Sequence, residues 1–239
     1  MDSLEELTIK YDVDALGLGY TQHYADRFDN VRNDVLKVLE IGVETGRSHR
    51  MWLEYFPNAI VYGMDIFDEL DPAKYVDEFN KLQMGNPYLD RSVMFKGDQS
   101  NIDHLNNFLS LHGDEFDIII DDGGHSMRQQ QISLKILFNA VRSGGFYVIE
   151  DLHTCSGQWS YLYGSEIIEE GDTLTTDLLN SLEVEDNIIT ETNYLSKEDI
   201  NNIKNKLKSC ITKIGAETYI DSKGRKYKWP TMLAFMEKK

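Results

Sequence analysis

Cysteine and proline are scarce in this 239-residue chain, at two and four residues, and bases are outnumbered, with 24 Lys and Arg against 41 Asp and Glu. Cys155 and Cys210 stand outside any metal-type spacing, so neither a disulfide framework nor a thiolate metal site is expected, and the reducing cytoplasm is the expected compartment. A formal net charge of −17 opposes a nucleic-acid backbone or an anionic membrane as partner, and its plain meaning is a soluble surface. Long apolar runs are also missing. Nothing approaches the roughly 20 residues of a membrane helix, and residues 1 to 6 have neither the basic start nor the apolar stretch of an export signal. What is present, 41% apolar residues over this length, suffices for one sizeable core without staples.

That apolar content is distributed as alternating strand and helix patterns. Residues 35 to 42, 59 to 66, 92 to 99, 116 to 121 and 145 to 150 read as strands, and residues 48 to 55, 102 to 111 and 127 to 141 as helices, with a further helix expected within 68 to 90. Such alternation predicts a mostly parallel sheet with helices on both faces. Residues 174 to 184 and 197 to 209 read as two more helices. Residues 211 to 219 and 229 to 236, joined by a turn at 221 to 224, read as an antiparallel closing hairpin that brings the sheet to seven strands. Residues 1 to 34 read as an arm packing on the cofactor side, with a loop at 16 to 24 leading into a short helix. Residues 35 to 239 form the main domain, in which 152 to 210 serve as a substrate loop and helical insertion.

The strand ends carry the chemistry. The run at 116 to 121 closes on Asp121, Asp122, Gly123, Gly124 and His125, and the strand at 145 to 150 closes on Glu150 and Asp151. Carboxyl ends of strands are where open α/β sheets place ligands, and carboxylates crowded there repel unless a proton or cation lies among them. Asp121 and Asp122 either belong to such a site or cap the following helix, and His125 either joins them or is a satisfied polar residue. Two further acids ending a neighbouring strand favour the site.

The turn Glu40-Ile41-Gly42-Val43-Glu44-Thr45-Gly46 breaks the first strand into a helix with Gly-x-x-x-Gly spacing, unlike the Gly-x-Gly-x-x-Gly of dinucleotide folds. Acids at 40 and 44 would repel a pyrophosphate and suit a cationic ligand, such as a sulfonium carrying an ammonium group. Asp65, ending the second strand, is placed to accept from two ribose hydroxyls.

The ordered set Gly42, Gly46, Asp65, Asp98 and Asp121 at four successive strand ends resembles the class I S-adenosylmethionine-dependent methyltransferases, with their Rossmann-like fold. That likeness implies that Glu40, Gly42, Gly46 and Ser48 line the cofactor, that Asp65 takes the ribose, and that Asp98 and Gln99 lie by the adenine. More narrowly, residues 38 to 43, 50 to 52, 97 to 100, 120 to 125, 147 to 152 and 233 to 238 are similar to the metal-dependent macrolide-sugar O-methyltransferases of the mycinamicin type. The likeness covers residues 16 to 155 and the last strand, and 156 to 225 are dissimilar.

On this resemblance and on the chemistry of the side chains, Asp122, Glu150 and Asp151 offer hard oxygen ligands to Mg²⁺ (or Mn²⁺), and His125 acts as general base on a metal-held hydroxyl. Asp121 is assigned to the cofactor, because adjacent residues on a strand end point to opposite sides. Tyr20 is grouped with the cofactor set, although it, His23 and Tyr24 either close over the cofactor or pack as an ordinary arm. Trp159, Tyr161 and Tyr163 either stack on a sugar face or pack their loop.

The expected activity is Mg-dependent transfer of a methyl group from S-adenosylmethionine to one hydroxyl of a vicinal diol on a sugar. A deoxyhexose of a glycan or glycosylated product is the expected acceptor, and a homo-oligomer or a larger glycan-modifying polypeptide the expected setting. The alternatives are a catechol- or phenol-type small-molecule O-methyltransferase, or a cofactor-binding but inactive module in a glycan-modifying complex.

Overall fold

A computed structural model describes residues 1–67, 86–155, 172–183, 189–220 and 226–239. Among the described residues, seven strands make one sheet: β1 (Lys37–Ile41), β2 (Ile60–Asp65), β3 (Ser92–Lys96), β4 (Phe116–Asp121), β5 (Val141–Ile149), β6 (Leu207–Ile220) and β7 (Lys226–Lys238), in the order β3-β2-β1-β4-β5-β7-β6. β7 alone runs against its neighbours, pairing antiparallel with both β5 and β6. The mostly parallel sheet with an antiparallel closing strand is the architecture read from the sequence.

Its topology positions the site. From β1 the chain steps outward to β2 and β3, then returns to lay β4 on the other side of β1, so the order switches between β1 and β4. The parallel register places Ile41 opposite Met64 on one side and Asp121 on the other, and Asp121 opposite Ile149. Four strands therefore end at one level. Gly42, Asp122 and Glu150 follow those ends directly, and Asp65 is the last residue of β2.

Alternation along the strands divides the core. Leu39, Ile119 and Tyr147 face one layer with α4 (Ile102–His112) and α5 (Met127–Leu137), whereas Val38, Ile118, Ile120 and Val148 face the other. That second layer contains α1 (Leu4–Tyr11), α2 (Thr21–Phe28) and α3 (Arg47–Tyr55). Residues 1 to 34 supply Leu4, Leu7, Tyr20, Tyr24 and Phe28 to it, each fully buried. α1 was not read from the sequence, although Ser3 and Glu6 form a capping box at its start, a signal that Ser-x-x-Glu advertises.

Two boundaries differ from expectation. The helical pattern expected through residue 209 ends with α7 (Lys197–Lys206), which follows α6 (Thr175–Glu183), because Ser209 and Cys210 are drawn into β6 opposite Glu237 and Met236. β5 begins at Val141, not at Gly145, because Val141 pairs with Phe116 across an irregular step in the register. The helix expected within 68 to 90 falls mainly on 68–85, and the turn at 221 to 224 on 221–225, both outside the described residues. Among the described residues no helix is long and apolar enough to cross a membrane.

Candidate functional site

A cleft of about 430 Å³ opens at the switch point, over the carboxyl ends of β1, β2 and β4. Gly42 makes its floor possible. Its φ is +86°, and a Cβ there would lie 2.0 Å from the carbonyl oxygen of Asp122, so the β1 and β4 loops meet backbone to backbone. Asp122 N–H donates to the Ile41 carbonyl at 3.0 Å across the same contact.

Glu44 and Phe67 also take positive φ, both +48°, a conformation that costs a non-glycine residue and clusters at functional sites. Both serve Asp65, whose Oδ2 accepts from Glu44 N–H at 2.8 Å and Oδ1 from Phe67 N–H at 2.7 Å. Asp65, Asp98, Gln99, Gly42 and Ser48 all line the cleft. Gly46 is buried at the N-terminal end of α3 and does not line it. Asp98 is fixed by Ser100, whose N–H and hydroxyl donate to Oδ1 at 2.7 and 2.8 Å. Gln99 clips two loops together, donating to Asp121 Oδ1 at 2.8 Å and accepting from Gly124 N–H at 2.6 Å.

Asp121 does not face the cleft, contrary to the expectation that it meets the cofactor. Fully buried, it accepts from Gln99, from the Tyr147 hydroxyl at 2.9 Å and from the Ser133 hydroxyl. Strand alternation does separate it from Asp122, but the side it takes is the packing between β4 and α5. Burial pushes its carboxyl up, and these three donors oppose that shift. Glu40 is likewise inside, its Oε2 3.1 Å from Nδ1 of buried His49, whose Nε2 lies 3.0 Å from Ser92 Oγ. It walls a small hollow behind the cleft with Asp14, Asp122 and Glu150. Tyr20 is buried beneath the acids and does not line the cleft.

The helix-cap reading of Asp121 and Asp122 falls away, because Ser126 caps α5 in a capping box with Gln129. Ser126→Ala is expected to cost about 1 kcal/mol of stability, measured by urea denaturation. Asp122 and His125 are thereby released to the cleft, which they line with Asp151. One ligand-type atom from each of these three residues lies within 4.8 Å of the other two, and His125 Nε2 is 3.5 Å from Asp151 Oδ2. Thr154 ties the two loops, its hydroxyl lying 2.7 Å from the Asp151 carbonyl and 3.2 Å from that of His125.

Glu150, expected as a ligand, lies outside that trio; it is 5% exposed and accepts from the Tyr24 hydroxyl. Asp151 has φ +50° and accepts from the Tyr20 hydroxyl at 2.8 Å. Burial, then the charges of Glu150 and Asp151, push the Asp122 carboxyl well above the usual range. Burial and Asp151 do the same to Glu150, against the Tyr24 hydrogen bond. Such crowding is relieved by a cation, and the oxygen-rich donor set suits Mg²⁺ or Mn²⁺.

Asp14 and His153 were missed in the sequence, and Tyr24 was read there only as closing over the cofactor or packing the arm, without its link to the acids. Asp14, opening the short turn Asp14–Leu16, lines both cleft and hollow and adds to the repulsion on Asp122. Tyr24 reaches Glu150, and His153 places Nδ1 3.9 Å from Asp151 Oδ1. None of the three carries a motif, since each reaches the acids only through the fold. Trp159, Tyr161 and Tyr163 lie outside the described residues.

No family model matches the chain. It is 35% identical over 188 residues to mycinamicin VI 2''-O-methyltransferase of Micromonospora griseorubida, covering 75% of this chain and 43% of that protein. It is 37% identical over 165 residues to 8-demethyl-8-(2-methoxy-alpha-L-rhamnosyl)-tetracenomycin-C 3'-O-methyltransferase of Streptomyces olivaceus, covering 64% and 38%. The chain thus spans less than half the length of these curated relatives. Among solved structures, MycE methyltransferase of the mycinamycin biosynthetic pathway, in complex with Mg, SAH and mycinamycin VI, superposes with a TM-score of 0.65 at 26% identity, covering 99% of this chain and 54% of that one. The chain therefore has the Rossmann-like fold of the class I methyltransferases, and by sequence it is similar to the macrolide-sugar O-methyltransferases.

Proposed function

We propose that this chain is an S-adenosylmethionine-dependent, divalent-metal-dependent O-methyltransferase acting on one hydroxyl of a vicinal diol in a sugar, a deoxyhexose of a glycan or glycosylated natural product, in the cytoplasm. The observation that carries the reading is the meeting of Asp122, His125 and Asp151 at the lip of a glycine-floored cleft. The relatives support it, being named as methyltransferases of glycosylated natural products, with one solved in complex with Mg and SAH.

In this reading the cofactor would supply the methyl group, and Asp122 and Asp151 would hold a divalent ion whose charge would make a bound acceptor hydroxyl more acidic. Glu150 completes the acidic set. The chain's own residues do the rest. Asp65 keeps lone pairs for the ribose after accepting two backbone N–H groups, since an ionised carboxylate offers about four acceptor sites. Asp98 and the edge of Gln99 bound the adenine end. His125 takes the proton from the acceptor hydroxyl through an imidazole nitrogen, with the Asp151 carboxylate orienting the ring.

Residues 1 to 34 bound the cofactor side through Asp12, Val13 and Asp14, which line the cleft. The chain works as a homo-oligomer or within a larger glycan-modifying polypeptide. The test is methyl transfer from labelled cofactor to a panel of deoxyhexosides, monitored by mass spectrometry, with chelator and then with Mg²⁺ restored. Transfer that stops on chelation and returns with Mg²⁺ is expected. Undiminished transfer in excess chelator would remove the metal, and preferential methylation of catechols would remove the sugar.

A further inference from the structure

Residues of the N-terminal arm meet the acidic cluster more closely than an ordinary packed arm requires. Tyr20 immediately precedes α2 and Tyr24 lies one turn inside it, so the two side chains project from one face. Both are fully buried. Each donates its hydroxyl to one of two adjacent carboxylates more than a hundred positions away, Tyr20 to Asp151 Oδ1 at 2.8 Å and Tyr24 to Glu150 Oε1. For Tyr20 an uncharged acceptor is also at hand, the Met232 carbonyl at 3.2 Å, yet the carboxylate is nearer.

We infer that Tyr20 and Tyr24 are positioning residues for the divalent-ion site, Tyr20 occupying one oxygen of Asp151 so that the other is turned toward the ion, and Tyr24 fixing the buried Glu150 carboxylate beside the Asp122, His125 and Asp151 trio. This rests on the proposed metal reading. The division of oxygens is visible at Asp151, where Tyr20 holds Oδ1 while Oδ2 faces His125. It matters there because Asp151 sits at φ +50°, beyond the end of β5, where the sheet no longer dictates where the side chain points.

The rings themselves are held independently of the hydroxyls. Tyr24 packs edge-on against Trp52 and Phe235 with centroids 5.2 and 5.6 Å away, contacts that a phenylalanine would keep.

The experiment uses Tyr20→Phe and Tyr24→Phe separately in the full chain. Mn²⁺ affinity is read by electron paramagnetic resonance, S-adenosylhomocysteine affinity by calorimetry, and Mg²⁺ dependence by the kcat and half-saturating metal of any acceptor found active. The Mn²⁺ dissociation constant is expected to rise about 10- to 100-fold in each variant, with half-saturating Mg²⁺ rising in step, kcat at saturating metal largely kept and cofactor affinity unchanged. Variants that bind S-adenosylhomocysteine normally and Mn²⁺ as tightly as wild type would overturn the inference. Wild-type protein that binds no Mn²⁺ would instead overturn the metal reading, and this inference with it. Should Tyr24→Phe fail to fold, Tyr20→Phe decides alone.

Discussion

His125→Ala is expected to lower kcat about 10²- to 10⁴-fold, the usual worth of a general base, while affinities for the cofactor and for Mn²⁺ stay near wild type. The expectation follows from where the ring lies. Nε2 is 3.5 Å from Asp151 Oδ2, on the rim of the cleft and not beneath it, so removing the imidazole leaves both the Gly42 floor and the Asp122 backbone contact intact. The same geometry sets up a rival role, because a ring nitrogen of His125 is close enough to both acids to ligate the ion. Asp122→Asn separates the two. It weakens a hard, charged ligand and is expected to abolish Mn²⁺ binding and metal-dependent transfer together. If His125→Ala also abolishes Mn²⁺ binding, the histidine is a ligand and the base must be sought elsewhere. If it slows turnover alone, the base assignment stands.

What the sequence made legible was the part of the site encoded locally. A buried strand announces itself by an unbroken β-branched run, and its end by the acids and glycines that follow, so Gly42, Asp65, Asp98 and Asp122 could be put at one sheet edge without coordinates. Side-chain direction at those ends was less legible. Alternation correctly parted Asp121 from Asp122, but it says nothing of which layer each faces, and Asp121 proved to be claimed by Ser133 on α5, Tyr147 on β5 and Gln99. Glu40 was claimed in the same way by His49, nine residues along in the next helix. The arm was hardest to read. Its charged residues hide the spacing of Leu4, Leu7, Tyr20, Tyr24 and Phe28, whose burial is decided by α3 and β7, elements the arm meets only in three dimensions. For the same reason Asp14 and the two tyrosines could not be joined to the acids at 150 and 151.

Gly42→Ala is expected to be the most damaging substitution of a single methyl group, costing about 2 to 5 kcal/mol of stability from two separable causes. One is conformational. At φ +86° an L residue is strained by about 1–2 kcal/mol relative to glycine. The other is steric, since the new Cβ would sit 2.0 Å from the Asp122 carbonyl oxygen, 2.5 Å from its carbon and 2.6 Å from Gly123 Cα. All three are backbone atoms, so no rotamer change relieves the clash, and the β1 and β4 loops must part. Gly113→Ala isolates the first cause. Its φ is +75°, but its Cβ would meet only the flexible end of Lys37, at 3.6 Å. Urea denaturation should therefore show a loss of about 1–3 kcal/mol for Gly113→Ala, whose ψ of −175° places it in a region almost reserved to glycine, and a clearly larger one for Gly42→Ala. Equal losses would mean that the two loops do not pack at backbone contact. Function should divide along the same line. Gly113 lies at the far end of α4 and should leave S-adenosylhomocysteine and Mn²⁺ affinities unchanged. Gly42→Ala should weaken both at once, because the backbone it displaces forms the cleft floor on one side and carries Asp122 on the other.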